Sequence, residues 1–216
     1  MSAKRVPQRT VRAVLNRDYI AAVALSVLDE SGIDGFSMRK LAAALGADPM
    51  AAYRHFADQQ DLFDAVATQL FTEMDLETLP WPAEWRELMR AYADRLRSTL
   101  QHHPHTVSIF ATRPIRDPAA IQVGDRMVTR LVEAGFTPAL AMHLTRCLRE
   151  YTIGHVLGWA AAVTGRSRKP EPDSPGYNLL AAAADAAADT DHFDVGLTAM
   201  LDGFSRHLGP ESPHAR

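Results

Sequence analysis

Apolar positions recur at helical spacing along almost the whole chain. Ile20, Val23, Ala24, Val27 and Leu28 fall on one face of a helix that should stop at Gly32. Asp58 is placed to cap a long helix, with Asp61 in its first turn and Leu62, Val66, Leu70 and Met74 as its stripe. Trp85, Leu88, Met89, Tyr92 and Leu96 repeat the pattern after Pro82. Asp117-Pro118 and Thr137-Pro138 each read as an N-cap followed by proline at the first helical position. The helix from Pro118 should end near Gly135, and the one from Pro138 should run to about Gly165 as the longest in the chain. An Ala-rich helix follows around Leu179 to Ala188, and a last one carries Leu197, Met200, Leu201, Phe204 and Leu208. Strand-like alternation is missing, and Val, Ile and Thr gather only around Thr106–Ile109. The pattern predicts an all-α fold, with a small N-terminal domain and a larger helical C-terminal one.

Two short helices break this run of long ones. Within Ser37 to Phe56, SMRKLAAALGADPMAAYRHF, the first should hold Met38, Leu41 and Leu45 inward and stop at Gly46. Glycine takes the left-handed conformation that a tight inter-helix turn needs. Asp48 then caps a second helix with Pro49 in its first turn. Short helices joined in this way form a helix-turn-helix, whose second member can enter a DNA major groove. Ala52 and Phe56 should point into the domain, leaving Pro49, Met50, Ala51, Tyr53, Arg54 and His55 outward. Ser37, Arg39 and Lys40 lie at the start of the first helix, from which the two basic residues can reach phosphates or, for Arg39, a guanine edge.

Charge changes the picture more by its distribution than by its sum. The net charge is -3 over 216 residues, yet residues 1–17 carry Lys4, Arg5, Arg9, Arg12 and Arg17 with no acid among them. Such an asymmetry reads either as a basic arm that meets phosphates or the minor groove, or as a solvated tail. One cysteine, Cys147, excludes an intramolecular disulfide and fits a reducing cytoplasm. The longest near-apolar stretch, Ile153 to Val163, is too short to span a bilayer, and no apolar core follows the basic N-terminus as a secretory signal would require. No phosphate-binding loop, dinucleotide fingerprint, zinc-protease motif or nucleophile elbow occurs, so the sequence gives no ground for an enzyme.

The stretch LNRDYIAAVALSVLDESGIDGFSMRKLAAALGADPMAAYRHFADQQDLFDAV, residues 15–66, resembles the DNA-binding domain of the TetR family of bacterial transcriptional regulators without a gap. Its G-I-D-G-F-S entry, R-K-L-A helix, glycine turn and Y-x-H-F carry the likeness. Residues 79–164 are more loosely similar to the C-terminal domain of tetracycline repressors, through the Trp85 helix, the Ala111-Thr112-Arg113-Pro114 turn and the helix from Thr137. The resemblance implies a ligand-responsive regulator, a repressor that binds a palindromic operator on double-stranded DNA as a homodimer and is released by a small molecule. It places Tyr53 and His55 at phosphate- and base-contacting positions. It divides the chain into a basic flexible arm (1–16), a three-helix helix-turn-helix domain (17–60), a ligand-binding and dimerisation domain (61–208) and a mobile tail (209–216). Departures limit it. Ile109 stands where those repressors have a magnesium-coordinating histidine, and Met74 and Asp75 replace histidines that help hold the drug. No metal or other cofactor is therefore expected.

Several features keep two readings. Arg54 could contact DNA or pair with Asp58 one helical turn on. His102, His103 and His105 form a cluster split by Pro104, better read as a polar turn than as a metal site. Cys147 reads as a small core residue rather than a redox sensor, and Arg146 and Glu150 read as an i, i+4 pair. Gly154 and Gly158 let a second helix approach closely, in the dimer or within the chain. By resemblance their helix and the last one, about 194–208, pair with their copies in a four-helix bundle. Phe71, Met89, Tyr92, Ile109, Phe110, Met127, Leu131, His143, Cys147, Tyr151, His155 and Trp159 lie on helices that line the ligand pocket in relatives, although most must serve the core. Their chemistry favours an apolar or aromatic effector. The rival functions are an all-helical small-molecule binding protein without an operator, or an activator of the same family. The binding protein leaves the exposed Tyr53 and His55 and the basic arm without a role.

Overall fold

Local capping decides where most helices begin. In the computed structural model, which describes residues 15–113, 117–165, 177–187 and 191–208, the elements in order are α1 (Arg17–Gly35), α2 (Met38–Leu45), α3 (Pro49–Tyr53), α4 (Gln59–Glu73), a 3-10 turn (Leu76–Thr78), α5 (Trp85–His102), α6 (Val107–Thr112), α7 (Pro118–Glu133), α8 (Pro138–Val163), α9 (Tyr177–Ala186) and α10 (His192–Ser205). No strand occurs among the described residues. Asn16, Ser37, Asp48, Asp58, Asp117, Thr137 and Asp191 each accept a hydrogen bond from a first-turn backbone N–H. These bonds satisfy donors that a helix start otherwise leaves open. α1 is broken where the sequence indicates: Gly32 sits at φ 67°, and the following residues form one further turn before Phe36. Gly46 closes α2 in the left-handed region, at φ 61°.

α1, α2 and α3 pack into the small N-terminal unit, while α5, α6, α7, α8 and α10 build the larger one. α4 packs against α1 on one side and against α5 and α6 on the other, so it mechanically links the two. Ile20, Leu28, Leu41, Phe56, Leu62 and Leu70 are essentially inaccessible and form one continuous core with Met89, Leu96, Phe110, Leu131 and Leu148. α10 lies on α8 where Gly196 admits the Tyr151 ring; a Cβ there would come within 2.1 Å of its hydroxyl oxygen. Arg86, Arg90 and Arg97 on one side of α5 pair with Asp202, Asp194 and Asp191. Exposed pairs of this kind contribute about 0–1 kcal/mol each, and act mainly to fix how α10 is set against α5.

The β-branched cluster at Thr106–Ile109 forms the start of α6, where Val107, Ile109 and Phe110 all bury, which outweighs a weak local propensity. One local expectation changes: the Ala-rich helix begins two residues earlier than expected and exposes Leu179 and Leu180. Ala188, most of the Gly165–Pro175 linker, the basic residues Lys4 to Arg12, and the tail from Gly209 lie outside the described residues. Among the described residues no helix is long and apolar enough to cross a membrane.

Candidate DNA-binding and effector sites

α3 presents its side chains from a rigid seat. Ala52 and Phe56 are each 1% exposed and anchor it in the common hydrophobic core. Met50 is 61% and Tyr53 44% exposed; Arg39, Lys40 and Arg54 are exposed as well, whereas Ala51 and His55 are half-buried. Pro49 is the first residue of α3. Ser37 is turned to a structural task, accepting the Lys40 N–H at 3.2 Å as the α2 cap. The Lys40 ammonium donates to the Gly35 carbonyl at 2.6 Å, which pins the entry loop and holds that charge beside it. Of the two readings of Arg54, the pair with Asp58 does not form among the described residues, so there Arg54 keeps its full donor set.

Arg17 takes a place that the sequence does not suggest. It reads as the end of the basic arm, yet its guanidinium grips Asp61 through both nitrogens, at 2.6 and 3.2 Å. It also donates to the His55 carbonyl and lies 4.3 Å from the Phe56 ring centroid. Asp61 in turn accepts the Ala57 N–H at 3.0 Å. One arginine thus ties the start of α1 to the end of α3 and the start of α4. The Arg17 hydrogen bond, assisted by the Ala57 N–H, holds the Asp61 carboxyl below its ordinary range, and Asp61 raises the arginine in return.

A cavity of about 640 Å³ opens among α4, α5, α6, α7 and α8. Of the residues expected at a pocket, Phe71, Tyr92, Phe110 and Met127 line it. Met89, Ile109 and Leu131 are 0–4% exposed and pack into the core instead. His143 and Cys147 are exposed on the outward side of α8, so Cys147 is not a core residue; it shares a helical stripe with Gly154 and Gly158. Tyr151 donates its hydroxyl proton to the Phe193 carbonyl at 2.9 Å, and His155 lies 4.8 Å from both the His192 and Phe193 rings. These two, with Trp159, do not line the cavity; Tyr151 and His155 serve the α8–α10 seam. Arg146 and Glu150 form no ion pair among the described residues. Arg113 and Arg149 are wall residues that helical periodicity misses.

Arg113 reaches from the cavity back to α4. It pairs with Asp64 and donates to the Gln60 carbonyl at 3.1 Å, and its side chain is only 16% exposed. A group in the cavity that touches Arg113 therefore bears on the helix that carries the helix-turn-helix.

The histidine turn is a bridge between units. Nδ1 of His103 meets Asp29 of α1 at 2.8 Å and Nε2 meets Glu73 of α4 at 2.9 Å. Two carboxylates facing both ring nitrogens favour the doubly protonated ring. Its pKa is raised above the ordinary 6.5, chiefly by the Asp29 hydrogen bond and against burial. His102 turns away to the Ser98 carbonyl and His105 packs against Gly32, so the three rings diverge. Among the described residues no group has the arrangement of a metal site. A raised histidine pKa stabilises fully below the unfolded value, and the contribution disappears as pH rises through the folded one. The melting temperature is therefore expected to fall as pH rises above about 6.5, and His103→Gln should flatten that slope. A wild-type slope in the mutant would contradict the bridge. His155, lowered chiefly by burial, acts with opposite sign and below that value, so the two are separable.

On the outer face of α8, a Cβ at Gly154 or Gly158 would meet nothing within 4 Å, so among the described residues neither glycine serves a helix contact within the chain. α10 leaves Val195 and Gly203 uncovered as well.

The family comparisons cover both units. The model for bacterial regulatory proteins of the tetR family matches residues 20–66, and that for the tetracyclin repressor-like C-terminal domain matches residues 79–208. An HTH-type transcriptional regulator of Saccharopolyspora erythraea is 29% identical, over 94% of this chain and 90% of its own. The crystal structure of a possible TetR family transcriptional regulator from Streptomyces coelicolor A3(2) is 31% identical with a TM-score of 0.78, over 88% of this chain and 99% of that one. The Streptomyces coelicolor TetR family protein ActR, solved in complex with actinorhodin, is 25% identical with a TM-score of 0.75, over 92% and 100% of the two chains. With a helix-turn-helix at one end and a matched repressor-like domain over most of the rest, the chain belongs to the TetR family of bacterial transcriptional regulators.

Proposed function

We propose that this protein is a cytoplasmic, non-enzymatic repressor that binds a palindromic operator as a homodimer and releases it when a small molecule enters the cavity of the C-terminal domain. In this reading residues 17–60 hold DNA and 61–208 hold the effector and the partner copy. The observation that carries it is the exposure of Met50, Tyr53 and Arg54 on a recognition helix clamped from behind by Arg17. Side chains of that size on a fixed helix edge suit a major groove, with Arg39 available to phosphate. His55, half-buried and tied by its carbonyl, holds the end of the helix in place and offers its ring edge.

The link to the effector is α4. Asp64 and Gln60 are its contacts to the cavity through Arg113, and Glu73 is its contact to the His103 bridge. A ligand that reorients Arg113 moves α4 against a core that does not yield, and in a dimer that changes the separation of the two recognition helices. Half-sites on one face of DNA lie about 34–36 Å apart, so a modest change breaks the match. Switching from 1:99 to 99:1 requires the effector to prefer the released form by about 5.5 kcal/mol. ActR, similar over nearly its whole length, is a relative solved with a small molecule bound.

The test is the salt dependence of duplex binding. Affinity should fall steeply and linearly on logarithmic axes, and Arg39→Ala should reduce the slope by about one for each phosphate left unneutralised. Weak binding that ignores both salt and sequence would contradict the reading and leave a small-molecule binding protein.

A further inference from the structure

The charge in the cavity wall is one-sided. Among the described residues that line it there is no aspartate or glutamate, whereas Arg113 and Arg149 both line it. The two arginines are in different states. Arg113 is answered by Asp64 and Gln60. Among the described residues Arg149 has a single long bond, 3.4 Å to the Phe110 carbonyl, and its guanidinium carbon stands 5.4 Å from the Phe110 ring centroid. No carboxylate among the described residues pairs with it. A guanidinium carries five donors in a planar fork, so most of its capacity is unspent. Tyr92 lines the same space and makes no hydrogen bond among the described residues. Burial raises its phenol pKa, more than the Arg149 charge lowers it, so the hydroxyl stays protonated and able to donate. One charged donor and one neutral donor therefore share a wall that is otherwise Phe71, Phe110, Val123 and Met127.

We infer that the effector is an aromatic carboxylate, its anionic end held by Arg149 and Tyr92 and its flat apolar body seated among Phe71, Phe110 and Met127. The inference rests on the proposal that the cavity is the effector site, and deepens it. A cationic ligand would add a second positive charge where no acid can answer it. A neutral ligand would displace water from Arg149 and return at best an uncharged acceptor, a weaker partner for a partly desolvated charge than a carboxylate. A carboxylate matches the guanidinium fork with two parallel bonds. The volume, about 640 Å³, lies within the range of pockets that bury a drug-sized molecule.

The test uses a matched pair of probes, anthraquinone-2-carboxylate and anthraquinone-2-carboxamide, which differ by one charge. Calorimetric titration of the full chain should give the carboxylate an affinity about ten- to a hundredfold higher. Arg149→Gln should erase that preference by weakening the carboxylate alone, and Arg149→Lys should retain part of it. Folding of each variant is checked by its thermal melt, and unchanged carboxamide binding shows that the cavity survives. Equal affinity of the two probes for the wild-type protein would overturn the inference, as would a preference that persists in Arg149→Gln or the failure of both probes to bind. Release of a bound operator duplex, read in the same samples, separates this from the function itself. A carboxamide that binds equally and releases DNA sinks the anionic effector and leaves the repressor standing.

Discussion

Tyr53→Ala is expected to weaken sequence-specific duplex binding by at least about 30-fold while the protein stays folded and dimeric. The side chain is 44% exposed and makes no hydrogen bond among the described residues, so its removal takes little from the fold. The anchors of α3, Ala52 and Phe56, and the Arg17 clamp behind them stay in place. The effect lies wholly on the groove side. One good base contact is worth about 1–3 kcal/mol, and a two-fold operator forfeits it twice, so affinity should fall by roughly 30-fold to 25,000-fold. Fluorescence anisotropy with a labelled duplex measures the fall, and sedimentation with a thermal melt measures the intact dimer. Wild-type affinity in this variant would contradict the placement of α3 in the groove.

The second large effect is expected at Gly158. Among the described residues of one chain a Cβ there meets nothing within 4 Å and the position is exposed, so Gly158→Leu is expected to leave the fold of the monomer intact. Replacing a mid-helix glycine even favours the helix, by up to about 1 kcal/mol. In a dimer in which α8 packs on its copy, the same side chain overfills the seam from both sides. Overpacking typically costs about 1–3 kcal/mol, and two-fold symmetry applies it twice. Gly158→Leu should therefore sediment as a monomer at concentrations where the wild type is a dimer, with an undiminished helical signal and no operator binding. Opposite signs for fold and assembly separate this outcome from simple misfolding. A wild-type sedimentation profile would remove Gly158 from the interface.

The sequence was most readable where the physics is local. Asp48, Asp58, Asp117 and Thr137 cap the helices that their spacing announces, because a cap needs only the next two or three backbone N–H groups. Gly46 was equally plain, since a left-handed turn between two short helices has few other solutions. Arg17 and His103 were not readable. Their partners lie 44 and 38 residues away for Arg17, at Asp61 and His55, and 74 and 30 away for His103, at Asp29 and Glu73. No pattern along the chain records such meetings.

The cavity shows the same limit. Met89 and Tyr92 are neighbours on one face of α5, yet Met89 fills the core and Tyr92 borders a void. Periodicity says which face is inward, and only the tertiary arrangement says what lies opposite. Cys147 misled for a related reason: it adjoins Leu148 in sequence but falls on the outward stripe of α8. Arg149 escapes the same reading, because a charge on a helix normally signals a solvent-facing position, whereas here it borders the cavity.

Selection of bound duplexes from a random pool, at physiological salt, tests the central claim most directly. A dimeric operator binder enriches a two-fold palindrome with half-sites about one helical turn apart, and a Tyr53→Ala pool shows no enrichment. A folded, dimeric protein that enriches no sequence would contradict the account.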